Sequence, residues 1–247
     1  MASMVATLDR WLYPNHEANW DNQHFRSVIL DQITRDDHVL DLGAGAGYVK
    51  QMRLRGHAGR VCGVDPDERV LQNPFLDEAK VGTGDKIPYN DNQFDVVISN
   101  NVLEHLAEPD VVFREAWRVL KPGGLFLAKT PNKWYYVSII ASVTPHWFHQ
   151  WVNERRGRER ADTFPTFYRA NTPSAVRRLA KQTEFDVEQI QAIEGRPEYL
   201  RMTAPTYVMG WMYERFVNFM PGMSAFRAAI IMQIRKPHSA AQLQRAA

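Results

Sequence analysis

Five residues, His38–Leu42 (HVLDL), run directly into Gly43-Ala44-Gly45-Ala46-Gly47. A short buried strand ending in alternating glycines narrows what this chain can fold into. Glycine takes backbone dihedrals closed to other residues and lets the main chain approach a ligand closely. In open α/β sheets, such a turn at the carboxyl end of a strand is where ligands bind. Similar apolar runs recur at Arg60–Val64, Ala79–Val81, Phe94–Ser99, Leu125–Lys129, Phe185–Ile193 and Ala228–Ile234. Helical periodicity lies between them, over Gln23–Ile33, Gly47–Arg55, Asp110–Leu120, Thr172–Gln182 and Thr206–Met220. The alternation predicts an α/β fold: a Rossmann-like, doubly wound, seven-stranded, mostly parallel sheet with one antiparallel strand and helices on both faces.

The boundaries have local causes. Lys121-Pro122-Gly123-Gly124 reads as a helix stop and turn. Thr172 is a natural N-cap, with Pro173 at the first helical position. In the last helix Val208, Met212, Phe216 and Met220 fall four apart, an amphipathic stripe. From Pro131 to Ala170 the rhythm breaks into an aromatic-rich helical insertion carrying Trp134, Tyr135, Tyr136, Trp147, Phe148, Trp151, Phe164, Phe167 and Tyr168, with Arg155, Arg156, Arg158 and Arg160 inside it. One domain is expected: an N-terminal helical cap over 1–37, a ligand-binding core over 38–130, a lid over 131–170 and the rest of the sheet over 171–238.

At 247 residues the chain buries a full core without disulfides or metals, and its single cysteine, Cys62, excludes an internal disulfide. The formal net charge of +2 gives no footprint for nucleic acid. No uncharged apolar run of 18 residues predicts a spanning helix, and Met1–Arg10, with Asp9, does not read as a signal peptide. A cytoplasmic location is expected.

The loop chemistry separates two ligand classes. A dinucleotide fingerprint reads G-x-G-x-x-G; here the third glycine comes one residue early. Asp41, two residues before Gly43, would repel a pyrophosphate but pair with a sulfonium-bearing ligand or its amino group. Asp65 closes the second strand twenty residues beyond Gly45, where a carboxylate accepts from both hydroxyls of a ribose. Asp85, after the third strand, is placed to accept from an exocyclic adenine amine.

Four blocks, VLDLGAGAGYV, GVDPDERVL, GTGDKIPYNDNQFDVVISNNVLEHL and REAWRVLKPGGLFL, span Val39 to Lys129. In that order they resemble the class I methyltransferases, in particular the small-molecule enzymes akin to those of ubiquinone and menaquinone biosynthesis. The resemblance implies S-adenosyl-L-methionine as cofactor and a small-molecule acceptor. It implies cofactor contacts at Asp41, Gly43, Gly45, Asp65, Pro66, Asp85 and Lys86, and at Ser99, Asn100 and Asn101 after the fourth strand; Ala44 and Gly47 belong to the same loop. The stretch after Asn132 is more loosely similar to bacterial methyltransferases of cell-surface glycan or lipid pathways.

Catalytic candidates follow. His105 stands as a base if the acceptor is a hydroxyl. Related quinone-pathway O-methyltransferases carry Glu-x-x-Glu-His here, tied to a divalent metal; Asn101 replaces the first Glu, and no metal is expected. His146 and His149 share a face if their segment is helical. Tyr168 and Arg169 are placed to orient an anionic or hydroxylated acceptor. The segment 134–160 also suits peripheral contact with the inner face of a membrane. The alternative function is a cofactor-independent membrane-surface or protein-interaction module. Methylation of a nucleic acid is disfavoured, because the fourth strand ends in Ser99-Asn100-Asn101-Val102 rather than an Asn/Asp-Pro-Pro-Tyr/Phe segment.

Overall fold

The computed structural model describes residues 4–14, 19–143 and 165–238. Seven strands form one sheet: β1 (His38–Leu42), β2 (Arg60–Asp65), β3 (Glu78–Val81), β4 (Phe94–Asn100), β5 (Leu120–Pro131), β6 (Asp186–Ile193) and β7 (Ala229–Arg235). Their order is β3-β2-β1-β4-β5-β7-β6. Strands β1 to β5 pair in parallel, and β7 runs antiparallel to both neighbours, β5 and β6. The carboxyl ends of the parallel strands therefore share one edge, and with them Asp41, Asp65, Val81, Asn100 and Lys129.

Strict alternation along the strands gives each face its own core. Leu40, Leu42, Val97, Phe126 and Ala128 pack with α3 (Pro109–Val119) and α5 (Pro173–Gln182). Val39, Val96, Ile98, Leu125 and Leu127 pack with Phe25 and Ile29 of α2 (Trp20–Leu30). Asp41, Asn100 and Lys129 continue this second face to the sheet edge. Helix α3 starts with Pro109 at its first position and buries Val112, Phe113, Ala116 and Val119. In α5 the Thr172 hydroxyl accepts the Ala175 amide at 3.1 Å, the predicted cap.

Three elements differ from expectation. The predicted helix Gly47–Arg55 is a single 3₁₀ turn, Lys50–Met52. Arg26 takes the carbonyls of Gln51 and Arg53 at 2.7 and 3.0 Å, so they are spent on a side chain instead of a helical ladder. Lys121–Gly124 belongs to β5, which begins at Leu120 beside Phe94 and shifts register before Val96. Helix α1 (Met4–Leu12), inside the expected N-terminal cap but not read as a separate helix, packs on α6 (Ala204–Phe219). Within the insertion, α4 (Tyr136–Val143) is described; His146, His149 and the arginines at 155–160 lie outside the described residues.

The apolar stripe of α6 faces outward. Met212 is 59% exposed, and Val208, Phe216 and Met220 are exposed as well, whereas Tyr207, Gly210, Glu214 and Val217 are buried. The inward face is polar because α1 satisfies it. Tyr207 donates to Asp9 Oδ1 at 2.6 Å, and Tyr13 donates to Glu214 Oε2 at 3.1 Å.

Candidate functional site: a glycine cleft at the sheet edge

The chain leaves β1 through three left-handed glycines, Gly43 (φ +85°), Gly45 (φ +49°) and Gly47 (φ +78°). Space forbids side chains at two of them. A Cβ on Gly43 would lie 2.3 Å from Val102 Cγ2, and one on Gly47 would lie 2.5 Å from Asn73 Oδ1. The amides of Gly43 and Ala44 donate to the Val64 carbonyl at 2.8 and 3.3 Å, tying the loop to the end of β2. Asn73 closes its outer side. Its Nδ2 donates to the carbonyls of Ala44 and Gly45 at 3.3 and 3.1 Å, and its Oδ1 accepts the Phe75 amide.

Asp65 is held from both sides. Oδ2 accepts the Gly45 amide and Oδ1 the Asp67 amide, each at 2.9 Å. A carboxylate oxygen has two lone pairs, so each keeps one for a ligand hydroxyl. Asp41 is buried at the floor of the loop. Burial, followed by the nearby charge of Asp65, raises its carboxyl to about 7. A proton relieves that cost below this pH, and a cationic partner relieves it while leaving the carboxylate ionised.

The enclosed part of the cleft is about 150 Å³ and is lined by Asp41, Gly43, Ala44, Gly45, Gly47 and Asn100 among the expected residues. It suits one end of a ligand rather than a whole nucleoside. Asp65, Pro66, Asp85, Lys86, Ser99 and Asn101 lie outside this enclosure. Asp65 is half-buried, and Pro66, Asp85 and Lys86 are exposed around it. The turn bearing Asp85 closes with the Lys86 amide on the Thr83 carbonyl at 3.2 Å. Gly84 sits against Val112 and Leu42, which brings the turn to the same edge. Ser99 is fully buried, with its hydroxyl unpartnered. Asn101 turns through φ +57°, and its amide donates to the Lys129 carbonyl at 2.8 Å.

Residues that no motif announced complete the cleft. The Arg53 guanidinium stacks 3.7 Å from the centre of the Phe75 ring and donates to the Gly47 carbonyl. Lys129, fully buried, pairs with Asp21 and donates to Asn22 Oδ1 at 2.7 Å; Asn22 Oδ1 also accepts from Asn100 Nδ2 at 3.1 Å. This polar latch fixes the start of α2 beside the cleft. Asn100 Oδ1 is buried and unpartnered.

On the other face of the strand ends, Glu104 is buried, and burial pushes its carboxyl above the usual range. Thr130 donates to its Oε2 at 3.0 Å, and the amides of Phe167 and Tyr168 donate to its carbonyl. His105 Nδ1 lies 2.8 Å from the Pro165 carbonyl; a carbonyl only accepts, so Nδ1 carries the proton. Tyr168 sits at φ +51°, and burial raises its phenol. Arg169 donates to the Ala107 carbonyl at 2.6 Å. Among the described residues no group of three His, Cys, Asp or Glu side chains is arranged to hold a metal ion.

Comparison with known proteins agrees with this edge. Residues 40–128 match the family described as a methyltransferase domain. A protein of Mycolicibacterium smegmatis named as a probable S-adenosylmethionine-dependent methyltransferase is 37% identical over 100 residues, 38% of each chain. The ubiquinone biosynthesis O-methyltransferase of Azorhizobium caulinodans is 31% identical over 136 residues, 52% of this chain and 53% of that protein. The chain thus spans about half or less of these curated relatives. An S-adenosylmethionine-dependent methyltransferase structure from Methanosarcina mazei superposes with a TM-score of 0.56 at 16% identity, covering 86% of this chain and 98% of that one. Residues 40–128 therefore resemble a methyltransferase domain, and the chain shares its fold with solved methyltransferases.

Proposed function

We propose that the chain transfers a methyl group from S-adenosylmethionine to an oxygen nucleophile on a small aromatic, lipid-like or glycan-related acceptor. The observation that carries this reading is the pair of carboxylates at the glycine loop, Asp41 buried at its floor and Asp65 with free lone pairs at its rim. A dinucleotide fits this donor set poorly. No helix starts at Gly47 to meet a pyrophosphate, and Asp41 adds a like charge there. An adenosyl amino acid fits it: a cation for Asp41, ribose hydroxyls for Asp65, and Asp85 on the adenine side.

When bound, the cofactor supplies an activated methyl group, and the protein's part is alignment and exclusion of water. Asp41 and the loop amides orient the amino-acid end. The His105 ring, oriented by the Pro165 carbonyl at Nδ1, is the candidate base for an acceptor hydroxyl. Tyr168, its phenol held protonated by burial, orients the acceptor as a hydrogen-bond donor. His146 remains a candidate of the same kind.

Isothermal titration with S-adenosylhomocysteine tests the reading: saturable binding is expected, and Asp65→Ala lowers the affinity at least tenfold. Absence of binding at millimolar ligand overturns it. Incubating cell extract with isotope-labelled donor and reading the labelled product by mass spectrometry then gives the acceptor.

A second reading concerns where the enzyme works. Ile139 and Ile140 of α4 are exposed beside the outward stripe of α6, and the rings of Tyr136 and Tyr213, 4.9 Å apart, join the two helices. Contiguous exposed apolar surface marks an interaction site, which supports peripheral contact with a lipid surface. Among the described residues no helix is long and apolar enough to cross a membrane.

A further inference from the structure

A second cavity, of about 1080 Å³, opens between the first turn of α3, the start of α5 and residues 133–134 and 167–169. It lies at the same edge of the sheet as the glycine cleft but on the α3/α5 face. The segment 101–107 is the wall between them. Asn100 lines one cavity and Ala107 the other. The Phe167 amide on the Glu104 carbonyl, at 2.7 Å, pins the wall in place.

The charged groups around it are Arg114, Lys133, Arg169 and Arg178 against Glu108 and Asp110. Asp110 is engaged by Arg114 at 2.8 Å. Arg169 is oriented by the Ala107 carbonyl and lies 5.7 Å from the Phe167 ring centre. Lys133 and Arg178 make no side-chain hydrogen bond or ion pair among the described residues, so the wall holds more positive charge than its own carboxylates neutralise. Beside these cations stand apolar surfaces, with Trp134 and Phe167 half exposed and Leu179 and Ala175 behind. An anion recognised here gains charge-assisted hydrogen bonds from Lys133 and Arg178, and an apolar body attached to it covers the aromatic rings.

We propose that this cavity binds the anionic end of the methyl acceptor, a carboxylate or phosphate carried on an apolar body. The reacting end would pass over the ends of β4 and β5 to the glycine cleft. The proposal rests on the methyltransferase reading for the word acceptor; the anion site itself stands on the cavity.

The test is calorimetric titration of the full chain with octyl phosphate, octanoate and 1-octanol, each with and without saturating S-adenosylhomocysteine. At least one anion is expected to bind saturably where octanol does not, and the stronger of the two names the head group. Arg178→Gln and Lys133→Gln, both at exposed positions, should each weaken it by roughly tenfold while leaving S-adenosylhomocysteine affinity unchanged. In extract incubated with labelled donor, the labelled product should be retained on an anion exchanger at neutral pH. Anions binding no better than octanol, unchanged affinity in both variants, or a product that is not retained overturns the proposal. Failure of S-adenosylhomocysteine to bind would remove the transferase reading, and with it the acceptor; the titrations without it would still decide whether the cavity takes an anion.

Discussion

Gly43 has two separate reasons to be glycine, and they are separable by mutation. Its φ of +85° strains any side-chained residue, and its missing Cβ leaves the space filled by Val102 Cγ2. Gly43→Ala should cost about 2–4 kcal/mol of stability. Val102→Ala, made with it, removes the overlapping methyl and should return all but about 1–2 kcal/mol, the residue of left-handed strain. Urea denaturation of the single and double variants measures both. Asp41 offers a second prediction at this scale. Its carboxyl stays protonated in the folded protein to about pH 7, whereas the unfolded chain ionises it near 4. The folded state therefore binds the extra proton, and stability falls as pH rises through that window. Asp41→Asn should gain up to about 4 kcal/mol above pH 7 and nothing below pH 4. A cationic ligand end stabilises the ionised form, so S-adenosylhomocysteine binding at pH 6 should release up to about one proton, fading by pH 8. Titration in buffers of different ionisation enthalpy reads that number directly; proton uptake, or no exchange, would contradict the pairing. Asp41 and Asp65 were legible in the sequence because a carboxylate at a strand end beside glycines has a chemical meaning. Asn73 and Arg53 were not, since Asn73 bonds loop carbonyls nearly thirty residues back and Arg53 stacks on Phe75 while holding the Gly47 carbonyl, and no spacing encodes that.

At the scale of elements, strands were readable because burial on both faces writes a continuous apolar run, as in Phe94–Ser99. The helix expected over Gly47–Arg55 failed because Arg26, from α2, takes the carbonyls that a helix would use. The orientation of α6 has a related cause. Its inward side carries Tyr207 and Glu214, polar residues made tolerable by α1, while its apolar stripe was left outside. Helix α1 is held mainly through Asp9, which accepts from Tyr207 and pairs with Arg196 and Arg201. Burial pushes the Asp9 carboxyl up, but bonds from Arg201 and Tyr207 outweigh it, and the net direction is down. Asp9→Ala should cost about 2–3 kcal/mol, because Arg196 and Tyr207 lose a buried partner. A carboxyl held low contributes its stability above the usual carboxylate range and loses it in acid, so the difference between wild type and variant should shrink as pH falls below that range. Denaturation midpoints at pH 7 and pH 3, with protease cleavage between α1 and α2 as a local probe, check both statements.

For the whole molecule, the sheet edge concentrates chemistry while α6 turns an apolar stripe outward among the described residues. Met209, 65% exposed, and Phe219, 84% exposed, extend the stripe of Met212, Phe216 and Met220 along α6. These side chains contribute little to the core, so replacing them with charge should leave the fold intact. Met212→Glu together with Phe216→Glu should shift the melting temperature by no more than a few degrees, as surface substitutions away from buried contacts generally do. If the stripe rests on lipid, the same pair of charges must abolish flotation with anionic liposomes, because each places a carboxylate at an interface that favours apolar side chains and repels negative charge. S-adenosylhomocysteine affinity should be unchanged, since neither residue touches the glycine cleft. Flotation that survives the double substitution would assign lipid contact to another surface. A wild-type chain that never floats would remove membrane contact altogether and leave the stripe to a protein partner, which crosslinking in solution would then have to reveal.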